Sequence, residues 1–157
     1  MQKAGNREGS RDETNSSRGL LPLPGWDTAK SERANLVHTV MVAESDDDSR
    51  YLLKYLLESD GYRVVEAGIG QEAVIVALRE RPDLILLEIK VPLHDGFSTV
   101  RRIRQDAALR DIPIVALSAF HPSQHRTVAL AAGCSEYVRK PIELNHLENL
   151  IARLLTE

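Results

Sequence analysis

Apolar positions along this chain fall into two unlike regimes. Residues 1–36 carry no apolar period: Gly, Ser, Asn and mixed charge dominate, and two prolines break up the segment Leu20-Leu21-Pro22-Leu23-Pro24-Gly25-Trp26. Such a stretch buries too little apolar surface to offset the entropy of ordering it, so 1–36 is read as a flexible N-terminal tail. The Leu20–Trp26 patch is assigned no function. From His38 onward, short apolar runs alternate with stretches of helical period, which marks 37–157 as an α/β domain. Strands are expected over Thr39–Glu44, Tyr62–Ala67, Asp83–Glu88, Ile112–Ser118 and Glu136–Arg139. The central ones are nearly continuous in Val, Ile and Leu, as parallel strands covered on both faces should be. Between them run five helical stripes. Leu52, Leu53, Leu56 and Leu57 form the first, ended by Asp60-Gly61; Ala73, Val74, Ala77 and Leu78 form the second, stopped by Pro82. Phe97, Val100 and Ile103 make the third, Ala129 and Ala132 the fourth, closed by Gly133, and Leu147, Leu150, Ile151, Leu154 and Leu155 the fifth. Five βα units with right-handed crossovers predict a doubly wound parallel sheet in strand order 2-1-3-4-5.

Composition narrows the classes of function. A length of 157 residues suits one domain and a tail, and 43% hydrophobic with 27% charged residues is ordinary for a globular core. Formal net charge is −3 without a Lys/Arg block, so neither nucleic acid nor an anionic membrane is expected as a partner. The lone Cys134 excludes an intramolecular disulfide framework. No apolar run approaches the roughly 20 residues of a membrane span, and no signal-peptide pattern opens the chain. A soluble, cytoplasmic protein is the expectation.

In open parallel sheets, ligands sit beyond the carboxyl ends of the strands. There this chain places Glu44, Ser45 and the run Asp46–Asp48 after the first strand, Glu88 at the end of the third, Ser118 and Ala119 after the fourth, and Lys140-Pro141 after the fifth. Acidic groups, a hydroxyl and an ammonium on one edge are the chemistry that a divalent cation and a phosphoryl group require. The Asp46–Asp48 run is read first as an N-cap and dipole complement of the first helix, ahead of metal binding. Lys140 is directed toward the strand ends by the extended backbone that Pro141 imposes on it. His121 and His125 have helical i, i+4 spacing but no third ligand nearby, and Arg101, Arg102 and Arg104 read as a solvated helix face.

Over about residues 39–156 the chain resembles the response-regulator receiver domains of two-component signalling. The segment from Pro82 through Glu88 to Pro92 and Asp95-Gly96-Phe97 resembles the family's third strand and following loop. Ile112–Ala119 resembles its fourth strand with the switch hydroxyl, and Ala132-Gly133 through Tyr137 to Lys140-Pro141 its fifth-strand signature. The resemblance implies the flavodoxin-like (βα)₅ receiver fold.

It also implies roles for the strand-end residues, with two departures. The family's pair of acidic Mg²⁺ ligands reads Glu44 and Ser45 here, which leaves Glu44 as the metal position of a degraded site; Asp46 is the residue that could replace the missing carboxylate. The phosphoacceptor position reads Glu88 rather than Asp, one methylene longer. Ser118, Tyr137 and Lys140 occupy the positions that sense and stabilise the phosphoryl group. The implied function is an atypical, stand-alone receiver, the chain ending at Glu157 directly after the fifth helix, that acts without phosphorylation, needs no cofactor and is not an enzyme. It would bind a protein partner through the face of the fourth helix, fifth strand and fifth helix, with Glu88 either mimicking part of the phosphate charge through Lys140 and Ser118 or leaving the domain inert. The alternative is a working phosphoacceptor supplied by a histidine kinase. A flavodoxin-like or nucleotide-binding enzyme would need a Gly-rich phosphate loop after the first strand, and Glu44-Ser45-Asp46 contains none.

Overall fold

The computed structural model describes residues 37–90 and 93–156, with the side chains of 93–96 left out. The N-terminal segment 1–36, with its Leu20–Trp26 patch, lies outside the described residues, as do Val91, Pro92 and Glu157. Five strands, β1 (Thr39–Ala43), β2 (Arg63–Ala67), β3 (Leu84–Glu88), β4 (Ile114–Ser118) and β5 (Glu136–Arg139), alternate with helices α1 (Asp47–Ser59), α2 (Gln71–Glu80), α3 (Leu93–Gln105), α4 (Pro122–Ala132) and α5 (Leu144–Thr156). All strand pairs are parallel, in the expected order 2-1-3-4-5.

β1 and β5 begin where expected, whereas β2, β3 and β4 begin one or two residues later than their apolar runs. Tyr62 gives its N–H to the Leu57 carbonyl and so completes the end of α1. Asp83 uses its carboxylate to accept the Thr39 N–H at 2.7 Å, and Pro113 has no N–H for the ladder. Within the strands the side chains alternate between two cores. Met41, Ala43, Ile85, Leu87, Ile114 and Ala116 pack with residues of α2, α3 and α4, whereas Val40, Val42, Leu84, Leu86, Val115 and Leu117 pack with α1 and α5. This two-sided burial is why β3 and β4 are buried at every position.

Two helical stripes differ from their predicted form. In α1 the buried positions are Leu53 and Leu57, and Leu52 is exposed; in α2 Val76 is buried and Leu78 exposed. Each core-facing stripe is narrower or rotated relative to the apolar count, because i, i+4 neighbours face the sheet while the adjacent apolar residue turns outward. The three arginines of α3 also divide. Arg101 and Arg102 are exposed as expected, but Arg104 is partly buried. It donates to the Gly133 carbonyl at 3.0 and 2.8 Å and to the carbonyls of Leu109 and Arg110 at 3.1 and 3.0 Å, with Ile112 as a further acceptor. Gly133 caps α4 with φ +122, and a Cβ there would stand 3.0 Å from Cγ of Arg104, so only glycine lets the guanidinium reach that carbonyl.

Arg104 therefore gathers four loop carbonyls on one guanidinium, of which that of Leu109 also accepts the Ile112 N–H at 3.4 Å. Arg104→Ala is expected to lower unfolding free energy by about 2–3 kcal/mol, and Arg102→Ala by less than about 0.5 kcal/mol. Urea unfolding of the two variants checks this, and equal effects would contradict it.

Candidate functional site

Parallel pairing sets the carboxyl ends of β1, β3, β4 and β5 along one edge. Ala43 pairs with Leu87, so the next residues, Glu44 and Glu88, emerge side by side. Ser118 pairs with Arg139, and the ladder continues one step further as the Lys140 N–H donates to the Ser118 carbonyl at 2.7 Å. The peptide bond from Lys140 to Pro141 is cis. From this position the Lys140 ammonium reaches both carboxylates: Nζ lies 3.0 Å from each Glu44 oxygen and 3.1 Å from Oε2 of Glu88. The Ser45 hydroxyl donates to Oε1 of Glu88 at 2.9 Å, and Lys90 stands 3.6 Å from the same oxygen. Glu44 is fully buried and Glu88 is 3% exposed, so these are ion pairs largely withdrawn from water.

Burial pushes the Glu44 carboxyl up, to about 7, aided by its hydrogen bond to Glu88 and opposed by Lys140. At Glu88 burial acts in the same upward direction but is outweighed by hydrogen bonds from Glu44, Lys140 and Ser45, which hold this carboxyl down at about 2. Burial would also lower Lys140, yet the two carboxylates prevail and its ammonium is stabilised. The two carboxyls share a proton and titrate together, with Glu44 the member held up and Glu88 the member held down.

The other expected residues take separate places. Asp46 is the N-cap of α1, its carboxylate accepting the Ser49 N–H at 2.8 Å. Ser118 is buried, and its hydroxyl accepts the Phe120 N–H at 3.1 Å; Tyr137, also buried, donates its phenol hydrogen to the Phe120 carbonyl at 2.7 Å. The expectation that Glu88 would contact Ser118 is thus corrected: its hydroxyl partner is Ser45, because the short Ser118 side chain is engaged by the turn that follows β4. Phe120 escaped notice in the sequence, although a hydroxyl two residues before an amide is a recognisable turn signal. His121 caps α4 through Nδ1 and His125 packs edge-on against Phe120 at 4.8 Å, so the pair is not arranged around a shared ion.

Magnesium needs several oxygens at about 2.0–2.1 Å in near-octahedral array. Among the described residues no group of three or more His, Cys, Asp or Glu side chains is placed to hold a metal. Glu44 and Glu88 already surround an ammonium, and Asp46 lends one carboxylate oxygen to the N-cap of its helix. This donor set does not suit magnesium. Among the described residues no helix is long and apolar enough to cross a membrane.

The family described as response regulator receiver domain matches residues 40–152. The polar-differentiation response regulator DivK of Brucella anthropi is 33% identical over 106 residues, covering 68% of this chain and 86% of that protein. The receiver domain of the sensor histidine kinase PA1611 from Pseudomonas aeruginosa, solved with a magnesium ion in its active-site cleft, superposes with a TM-score of 0.69 at 31% identity, over 78% of this chain and 100% of that one. A response regulator structure from Chloroflexus aurantiacus gives 0.72 at 27% identity, over 78% and 100%.

The shared proton makes a pH prediction. A carboxyl with a folded pKa above its unfolded value contributes stability that is complete below the unfolded value and disappears as pH rises through the folded one. For Glu44 that window runs from the ordinary 4.5 up to about 7. Urea unfolding across it should show the parent losing stability with rising pH relative to Glu44→Gln. Parallel curves for the two proteins would place the proton elsewhere.

Proposed function

The chain belongs to the response regulator receiver family, and on that premise we propose that it is a receiver that signals without being phosphorylated, by binding a protein partner. One observation carries this reading: the Glu88 carboxylate is buried with both oxygens engaged, Oε1 by Ser45 at 2.9 Å and Oε2 by Lys140 at 3.1 Å. Glu88 stands at the end of β3, where the resemblance puts the family's acceptor aspartate. A phosphoryl donor meets there a carboxylate without a free oxygen. Phosphoryl transfer depends on in-line placement, and about 1 Å of displacement costs on the order of 10²-fold in rate. Serine at position 45, in place of a second acidic residue, removes a ligand as well. These features support binding rather than chemistry as the protein's work.

The partner surface is proposed to be formed by α4, β5 and α5. Phe120, which leads into α4, is held from β4 by Ser118 and from β5 by Tyr137, so whatever fixes the strand ends also fixes the start of α4. Glu136 of β5 is ion-paired with Arg126 of α4 at 3.5 Å and with Arg153 of α5 at 3.8 Å, which ties the three elements into one face. Val128 is exposed on α4 and offers an apolar contact. Glu88 contributes a fixed negative charge to Lys140, a partial counterpart of the nearly two charges and three acceptor oxygens of a phosphoryl group.

Incubation with acetyl phosphate and magnesium followed by intact-protein mass spectrometry tests the proposal. The parent should gain no phosphoryl group, whereas the double variant Glu88→Asp, Ser45→Asp should gain one. A phosphorylated parent overturns the reading and favours a working acceptor supplied by a kinase.

A further inference from the structure

We infer that Lys140 is the resident cation of this acidic pocket, a tethered ammonium that shuts out the divalent ion the pocket would otherwise admit. The inference deepens the proposed function and rests on it for its meaning in signalling, but it is argued from geometry alone. An ammonium has three N–H donors. Lys140 Nζ has three carboxylate oxygens within reach, at 3.0, 3.0 and 3.1 Å, so its donors and their acceptors match in number. The fourth oxygen, Oε1 of Glu88, takes the Ser45 hydroxyl. Weaker approaches fill in behind these: the Asp46 N–H lies 3.4 Å from Oε1 of Glu44 and the Ser45 N–H 3.4 Å from Oε2 of Glu88. All four oxygens of the pair are satisfied by the chain itself.

Charge leads to the same conclusion. Two carboxylates carry at most two negative charges, of which Lys140 cancels one, and Lys90 adds another positive charge 3.6 Å from Glu88. A magnesium ion held by these oxygens would place two further positive charges against both ammonium groups, in a pocket whose carboxylates are withdrawn from water. A third carboxylate could offset that, but Asp46 is committed to the N-cap of α1. Without Lys140, the same two carboxylates and the Ser45 hydroxyl would keep only the more distant Lys90 as a positive neighbour and would be open to a hard cation.

The experiment compares the full chain with Lys140→Met, which keeps side-chain length and removes charge, and with Lys140→Arg, which keeps charge. Magnesium chloride is the probe, followed by isothermal titration and thermal unfolding. The parent and Lys140→Arg should show no binding at millimolar magnesium. Lys140→Met should bind it and melt ~10 °C higher at about a hundredfold excess over its dissociation constant. If Lys140→Met is unfolded without metal, recovery of its far-ultraviolet circular dichroism on adding magnesium counts in favour, and no recovery counts against. Magnesium binding by the parent overturns the inference, as does a Lys140→Met protein that folds and ignores magnesium. The titration reads cation binding and the mass measurement reads phosphoryl gain, so failure of the inference and failure of the proposed function are distinguishable.

Discussion

Two carboxylates brought side by side out of water would repel each other and lose hydration, a cost of several kcal/mol per ion unless a cation and hydrogen bonds compensate. The parallel sheet makes this unavoidable here, because the register that aligns Ala43 with Leu87 delivers Glu44 and Glu88 to the same edge. Compensation comes from the residue that follows β5, at the far end of the strand order: Lys140, with three contacts at 3.0–3.1 Å. Segments separated by up to 96 positions in the chain are tied by these contacts. The positions of β1, β3 and β5 at that edge are thus fixed electrostatically as well as by the ladder.

A second set of contacts transmits the arrangement sideways. The Lys140 N–H holds the Ser118 carbonyl, the Ser118 hydroxyl holds the Phe120 N–H, and Tyr137 holds the Phe120 carbonyl. Each step is a single well-formed hydrogen bond in a buried or half-buried place, where an orphaned partner is costly. The backbone at the start of α4 is therefore coupled to the residue whose side chain balances the acidic pair. An unbroken run of hydrogen bonds thus joins the strand-end lysine to the first residues before α4.

The fold was readable because its signals are redundant. Apolar runs such as Leu84–Leu87 and Ile114–Leu117 allow little except buried parallel strands, and Gly133 or Pro82 stop helices by local chemistry that needs no tertiary context. Residue types at the strand ends located Glu44, Glu88, Ser118 and Lys140 for the same reason, since topology sends them to one edge, whereas Tyr137, inside β5, was marked only by the family resemblance. What stayed hidden were partnerships decided by side-chain reach. Ser45 rather than Ser118 as the partner of Glu88, Phe120 as the junction of two hydroxyls, and Arg104 as a buried carbonyl clamp all depend on distances that spacing does not encode. The choice between Leu52 and Leu53, or Val76 and Leu78, as core residues also turns on helix rotation of a fraction of a turn.

The length of the side chain at position 88 decides what sort of pocket this is. An aspartate would withdraw its carboxylate by about 1.5 Å, one carbon–carbon bond, and would leave donors on Lys140 and Ser45 facing a gap. A gap lined by donors is a place for another anion; a glutamate closes it with its own oxygens. The negative charge then belongs permanently to the chain. With Glu88 held ionised and Lys140 held charged, the adjustable member of the three is Glu44, whose proton leaves near pH 7.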